Sequence, residues 1–209
     1  MAGFFVEFCG IDGSGKTTAL RNVAEKLNAL LEHREILVTR EPGGTPTAER
    51  IREILLHRNS GNQPEDPLTP ISEALLFYAA RVNHTQFVIT PALEREAVVL
   101  SDRYYHASLA YQSIICEETQ DIHNVCRLHL AKPDLLVYLK IDPEIAARRM
   151  VHRGVLDNIE SRDREYFENV AAKFQTFVDD NPKAIVVDAT QSQEAITLQI
   201  LDEILERIK

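Results

Sequence analysis

The 209-residue chain is 44% hydrophobic and carries a formal net charge of -9. That length buries one sizeable core and is short for two. So acidic a surface repels nucleic acid and anionic membrane, so basic residues gathered in one place are expected to serve something local.

Three cysteines, Cys9, Cys116 and Cys126, show no C-x-x-C or zinc spacing and read as structural thiols of a reducing compartment. No apolar run reaches membrane-spanning length, and the start lacks the basic and cleavage-site features of a signal peptide. A soluble cytoplasmic protein is expected.

The chain opens on Phe4-Phe5-Val6-Glu7-Phe8-Cys9, a short apolar run that reads as a buried strand. It leads into Gly10-Ile11-Asp12-Gly13-Ser14-Gly15-Lys16-Thr17, followed by Thr18, with the G-x-x-x-x-G-K-T spacing of a phosphate-binding loop. Glycines there let successive backbone N–H groups turn inward towards phosphate oxygens. Lys16 can place a charge on the β- and γ-phosphates, and the Thr17 hydroxyl suits a Mg²⁺ shell. Leu20, Val23, Ala24, Leu27 and Leu31 then recur at helical spacing, which aims a helix N-terminus at the same phosphates. Strand, loop and helix in that order point to binding of a nucleoside triphosphate.

Residues 35–39 read as a second strand, ending in Arg40-Glu41-Pro42-Gly43-Gly44-Thr45-Pro46. Thr45 is placed to cap the next helix, with Pro46 at its first position and Ile51, Ile54 and Leu55 on its buried stripe. Residues 59–70 are polar with three prolines and read as a surface connection. A long helix is expected over 71–89, with Phe77 and Arg81 four apart on one face. Further strands are expected at 97–101, 134–141 and 184–187. Helices are expected at 143–153, at 162–180 with Tyr166, Phe167, Val170, Phe174 and Phe177 inward, and at 192–208. Strands separated by helices imply one three-layer α/β domain over residues 1–209, a five-stranded parallel sheet with helices on both faces.

In such sheets, ligands sit at the carboxyl ends of the strands. Asp102, closing the third strand, reads as a Mg²⁺-holding acid or as a turn cap. Phe77 reads as a base-stacking ring or as core. Arg81 on a core-facing helix needs an anionic or acceptor partner. Ser108, Tyr111 and Gln112 add a hydroxyl, a phenol and an amide near the third strand.

The ordered set of Gly10 to Thr18, Thr39-Arg40-Glu41-Pro42-Gly43-Gly44-Thr45, Phe77-Tyr78-Ala79-Ala80-Arg81, Asp102-Arg103-Tyr104 and Leu109-Ala110-Tyr111-Gln112 resembles the thymidylate kinase family. The likeness continues through Pro133-Asp134-Leu135 and Asp157-x-x-Glu160 to Asp188-Ala189-Thr190. It implies the P-loop NTPase fold, a homodimer and Mg²⁺-dependent transfer of the ATP γ-phosphoryl group to dTMP, for dTTP synthesis. By motif match, Phe77 would stack on thymine, Arg81 and Gln112 would read its polar edge, and Ser108 would lie beside it. Tyr111 would crowd the sugar 2′ position. Glu41, Arg52 and Arg103 would surround the acceptor phosphate, with Asp12 near the acceptor and Mg²⁺. The loop interior holds no arginine, so Arg153 would supply the cation at the γ-phosphate and Arg149 would stack on adenine, from a lid over about 148–165.

Four places depart from the family pattern: Cys9 where glutamate is common, Tyr105-His106-Ala107 for Ile-Asp-Ser, Ser113 for glycine and Asn158 for a lid arginine. They bear on acceptor stringency. Two rival readings stay open here: a related kinase acting on another deoxynucleotide or a deoxynucleoside, and a non-catalytic nucleotide-binding module.

Overall fold

A computed structural model of the chain describes residues 2–56, 67–153, 159–160, 162–179 and 181–208, without the side chains of His152 and Arg153. Five strands, β1 (Phe4–Cys9), β2 (Ile36–Arg40), β3 (Val98–Asp102), β4 (Leu135–Lys140) and β5 (Ala184–Asp188), form one all-parallel sheet in the order β2-β3-β1-β4-β5. β1 is buried along its whole length, as a central parallel strand covered on both faces must be. From it the chain runs one way to β2 and β3 and later the other way to β4 and β5. The loops after β1, β2 and β3 therefore meet at one end of the sheet.

On one face lie α1 (Lys16–Leu30) and α9 (Gln193–Arg207), whose Leu20, Val23, Leu27, Ile196 and Ile200 join Val6 and Phe8 of β1 in the core. The other face carries Phe5, Glu7 and Cys9. Tyr104 packs edge-on to Phe5 there, and Phe174 of α8 (Arg164–Asp179) stacks on Tyr138. α2 (Pro46–Leu56) starts where the sequence placed it, with the Thr45 hydroxyl accepting from Ala48 N–H at 3.1 Å. α3 (Pro70–His84) starts one residue earlier than expected, because the Thr69 side chain caps it at Ser72 N–H and Pro70 needs no N–H partner in the first turn.

The long helix is not uniform. After His84 it widens into one π-helical turn, Thr85–Ile89, before α4 (Thr90–Glu94). The Thr90 N–H reaches back to Thr85 O, and Pro91, which has no N–H, follows. Between β3 and β4 the structure adds two short helices that the sequence reading did not delimit, α5 (Tyr105–Tyr111) and α6 (Thr119–Cys126). α7 (Pro143–Arg153) has the expected bounds, and α8 starts two residues later than expected. No helix among the described residues is long and apolar enough to cross a membrane.

One buried acid–imidazole pair lies under the sheet rather than at its end. Glu7 on β1 is fully buried and sits 2.7 Å from His106 Nδ1, while its Oε1 has no hydrogen-bond partner. Two of the departures, Cys9 and His106, flank this glutamate.

Candidate active site

The phosphate loop is built by close approach. Gly13 sits at φ 80°, and a Cβ there would strike the Ala146 carbonyl, so only glycine lets the loop lie under α7. Gly15 at φ 88° opens α1. Lys16 is buried, and its Nζ donates to Ile11 O at 2.9 Å across the loop. Burial and the charge of Arg103 lower its pKa to about 8, against the opposing pull of Asp12 and Asp102.

Asp12 shows the opposite balance. Burial alone would raise its carboxyl, but Arg103, Lys16 and the Tyr111 hydroxyl hold it down at about 2. Arg103 donates to Asp12 Oδ1, and the Tyr111 hydroxyl donates to Oδ2 at 3.0 Å. That hydroxyl also accepts the Asp12 N–H at 3.0 Å. Burial and the Asp12 charge push the Tyr111 phenol up, so it stays protonated as the donor this geometry requires. Arg103 itself has φ 72°, a left-handed backbone for a bulky residue. Ser101 Oγ donates to its carbonyl at 2.7 Å and its N–H donates to Phe8 O at 2.9 Å, which hold it there.

At the loop's outer edge, the Thr17 hydroxyl donates to Asp102 Oδ2 at 2.5 Å. One hydroxyl and one carboxylate, open to the cavity, suit Mg²⁺, which keeps waters and phosphate oxygens as its other ligands. No cluster of three or more His, Cys, Asp or Glu that could hold a metal ion occurs among the described residues.

The second half of the site descends from β2, α3 and α5. Arg81 is almost fully buried and donates Nε to Glu41 Oε2 at 2.6 Å, Nη1 to Ser108 Oγ at 3.0 Å and Nη2 to Tyr104 O at 3.1 Å. Among the described residues, two of its five N–H groups remain for a ligand. The partner that sequence chemistry demanded for Arg81 is thus Glu41, whose other oxygen meets His84 Nδ1 at 3.0 Å. The far nitrogen of His84 meets Thr39 Oγ1 at 2.7 Å. Gly44 packs so closely on His84 that any side chain there would overlap the ring. Phe77, one turn before Arg81, is also buried. Arg52 on α2 donates to Pro42 O at 2.8 Å, and Arg149 on α7 donates to Ala189 O at 3.1 Å.

One cavity of about 1070 Å³ joins these parts. Its lining includes Asp12, Gly13, Gly15, Lys16, Thr17, Thr18 and Asp102 on one side. Glu41, Arg52, Phe77, Arg81, Arg103, Ser108, Tyr111 and Gln112 line the other, with Arg149 at the rim. Gly10, Ile11 and Ser14 shape the loop from behind. Arg153 ends α7, but its side chain lies outside the described residues, as do Asp157, Asn158 and much of the expected lid. Sequence reasoning passed over His84 and Glu73, and quoted Thr39 only as part of a motif. The only available signal was His84 standing one helical turn after Arg81, and Glu73 one turn before Phe77.

The sequence model of the thymidylate kinase family matches residues 8–200. A thymidylate kinase of Exiguobacterium sp. strain AT1b is 41% identical, over all of this chain and 97% of its own length. Another from Acinetobacter baylyi is 38% identical over 96% of this chain and 98% of its own. The crystal structure of thymidylate kinase from Ehrlichia chaffeensis superposes with a TM-score of 0.75 at 26% identity, covering 98% of this chain and 99% of that one. The chain belongs to the thymidylate kinase family.

Proposed function

We propose that the protein transfers the γ-phosphoryl group of ATP to dTMP, giving dTDP and ADP, as a step towards dTTP. The observation that carries this reading is the single cavity in which a phosphate loop faces a base-and-phosphate pocket across the Asp12–Arg103 pair. Lys16 and the loop N–H groups hold the donor phosphates, and Arg52 with Arg103 holds the acceptor phosphate. Phe77 stacks on the base, Arg81 and Gln112 meet its polar edge, Ser108 lies beside it, and Tyr111 closes the 2′ side of the sugar. Thr17 and Asp102 hold Mg²⁺, which neutralises charge on the donor phosphates.

The attacking oxygen belongs to a phosphate already ionised at neutral pH, so transfer needs positioning and charge rather than a base. A carboxyl held at about 2 agrees with that. Asp12 acts as a fixed acceptor that aims Arg103, not as a proton store. Arg149 covers adenine, and Arg153 brings a cation to the γ-phosphate as a lid over 148–165 closes.

The molecule works as a cytoplasmic homodimer. Leu75, Phe87 and Val125 expose an apolar patch on α3, the π turn and α6, with Val125 75% exposed. A second copy covers it.

The decisive experiment follows ADP release with Mg-ATP against dTMP, dUMP, dCMP, dGMP and thymidine, with Lys16→Ala as the blank. Strong preference for dTMP supports the reading. Silence with every acceptor, despite intact ATP binding, replaces it with a nucleotide-binding module.

A further inference from the structure

Gln112 starts the short turn after α5, is nearly fully buried and lines the cavity. An amide can present either its oxygen or its NH₂ to a ligand, and nothing in the side chain itself decides which. The neighbour decides. Glu73, in the first turn of α3, places Oε1 3.2 Å from Gln112 Nε2. A carboxylate offers only acceptors, so the amide must turn its NH₂ to Glu73. Gln112 Oε1 takes no hydrogen bond among the described residues, which leaves it as the atom offered to the cavity.

Glu73 is itself held. Its Oε2 receives Arg162 Nη2 at 2.7 Å, just before α8. Arg162 in turn donates Nη1 to the Tyr166 hydroxyl and lies over that ring at 4.6 Å. The Tyr166 hydroxyl donates to Tyr111 O at 2.9 Å, which ties the assembly to the backbone immediately before Gln112. Both oxygens of Glu73 are thus fixed from two different elements.

We propose that Glu73 is a specificity-determining positioning residue: by holding the Gln112 NH₂ it leaves Oε1 to accept the N3–H of thymine or uracil, and so turns away cytosine. This rests on the dTMP reading above. Thymine and uracil carry a donor at N3, whereas neutral cytosine carries a lone pair there. Cytosine would set two acceptors face to face in a buried pocket, and a site built around one hydrogen bond rejects an analogue that cannot make it. The arrangement says nothing about the 5-methyl group, so it sorts dTMP and dUMP together against dCMP.

The test is the ratio of kcat/KM for dTMP to that for dCMP in the wild type, Glu73→Gln and Glu73→Asp. In Glu73→Gln the new amide can donate to Gln112 Oε1, which lets the Gln112 amide turn its NH₂ to the base. In Glu73→Asp the carboxylate keeps its charge near Arg162 but withdraws from Gln112. Both variants should lower the ratio by about 10-fold or more, chiefly through a higher KM for dTMP with kcat nearly retained. Thermal melts establish that each is folded, and Glu73→Asp carries the test if Glu73→Gln is not. An equal fall for both substrates, or an unchanged ratio, overturns the proposal by reducing Glu73 to a packing role. Wild-type enzyme that turns over no dTMP overturns the functional reading first, and this one with it.

Discussion

Lys16 should take up a proton when a triphosphate binds. Its ammonium is buried beside Arg103 and titrates at about 8 rather than at the ordinary 10.5. At 1.4 kcal/mol per unit, that displacement is worth about 3 kcal/mol. The unfolded chain keeps the ordinary value, so between pH 8 and 10.5 it binds more protons than the native state and stability rises with pH there; below pH 8 the full cost stands. A triphosphate supplies the negative charge that the site lacks and restores the charged form. Binding should therefore capture about half a proton per ATP at pH 8 and about 0.9 at pH 9, and affinity should weaken about 10-fold from pH 7 to pH 9. Calorimetry with Mg-ATP in buffers of different ionisation enthalpy reads this uptake directly. Lys16→Arg, which cannot lose its proton, should abolish the buffer dependence if it still binds. Identical heats in all buffers at pH 8, with affinity flat from pH 7 to 9, would refute the burial argument.

Three further outcomes follow from pairs already described. Asp12→Asn strips Arg103 of its anionic partner and should destabilise the fold by about 3 kcal/mol at neutral pH. Because the native carboxyl is held at about 2 against an ordinary 3.8, its contribution of about 2 kcal/mol is present above pH 3.8 and lost as pH falls through 2. Urea melts should show the gap between wild type and variant closing across that window, and a constant gap would count against it. His106→Ala leaves the Glu7 carboxylate buried without its partner and should cost about 3 kcal/mol, with Glu7→Gln recovering part of the loss in the double variant; an unchanged melting temperature contradicts this. Phe87→Glu or Val125→Glu should convert a dimer to monomer in sedimentation equilibrium while leaving the fold intact, and a wild-type monomer would remove the dimer proposal.

The parts of the site written in consecutive residues were legible from the sequence. The phosphate loop, Thr45 as a cap and the five strands rest on local spacing, and the structure carries each within a residue or so. Arg81 shows where legibility ends. Its burial demanded an acceptor, but the acceptor, Glu41, stands forty positions earlier, and only the meeting of β2 with α3 brings the two together. The Glu73 bridge spans comparable and longer separations, 39 residues to Gln112 and 89 to Arg162. α5 and α6 escaped delimitation because seven or eight residues give too few turns for a period of 3.6 to stand out. The π turn left no trace in composition, since it changes the hydrogen-bond register and not the residue types.

Tyr111 belongs to both halves of the cavity, and that has a practical consequence. Its ring lines the side of the cavity proposed for the acceptor, with Arg103 over it at 5.0 Å, while its hydroxyl occupies the Asp12 N–H of the phosphate loop. A compound that displaces the ring must also release a loop donor, so its affinity and that of ATP are thermodynamically coupled. Such coupling is reciprocal: whatever factor the nucleotide imposes on the compound, the compound imposes on the nucleotide. Inhibitor screens against the acceptor pocket should accordingly be run at fixed, saturating ATP, because potencies ranked on the free protein will reorder once the loop is engaged.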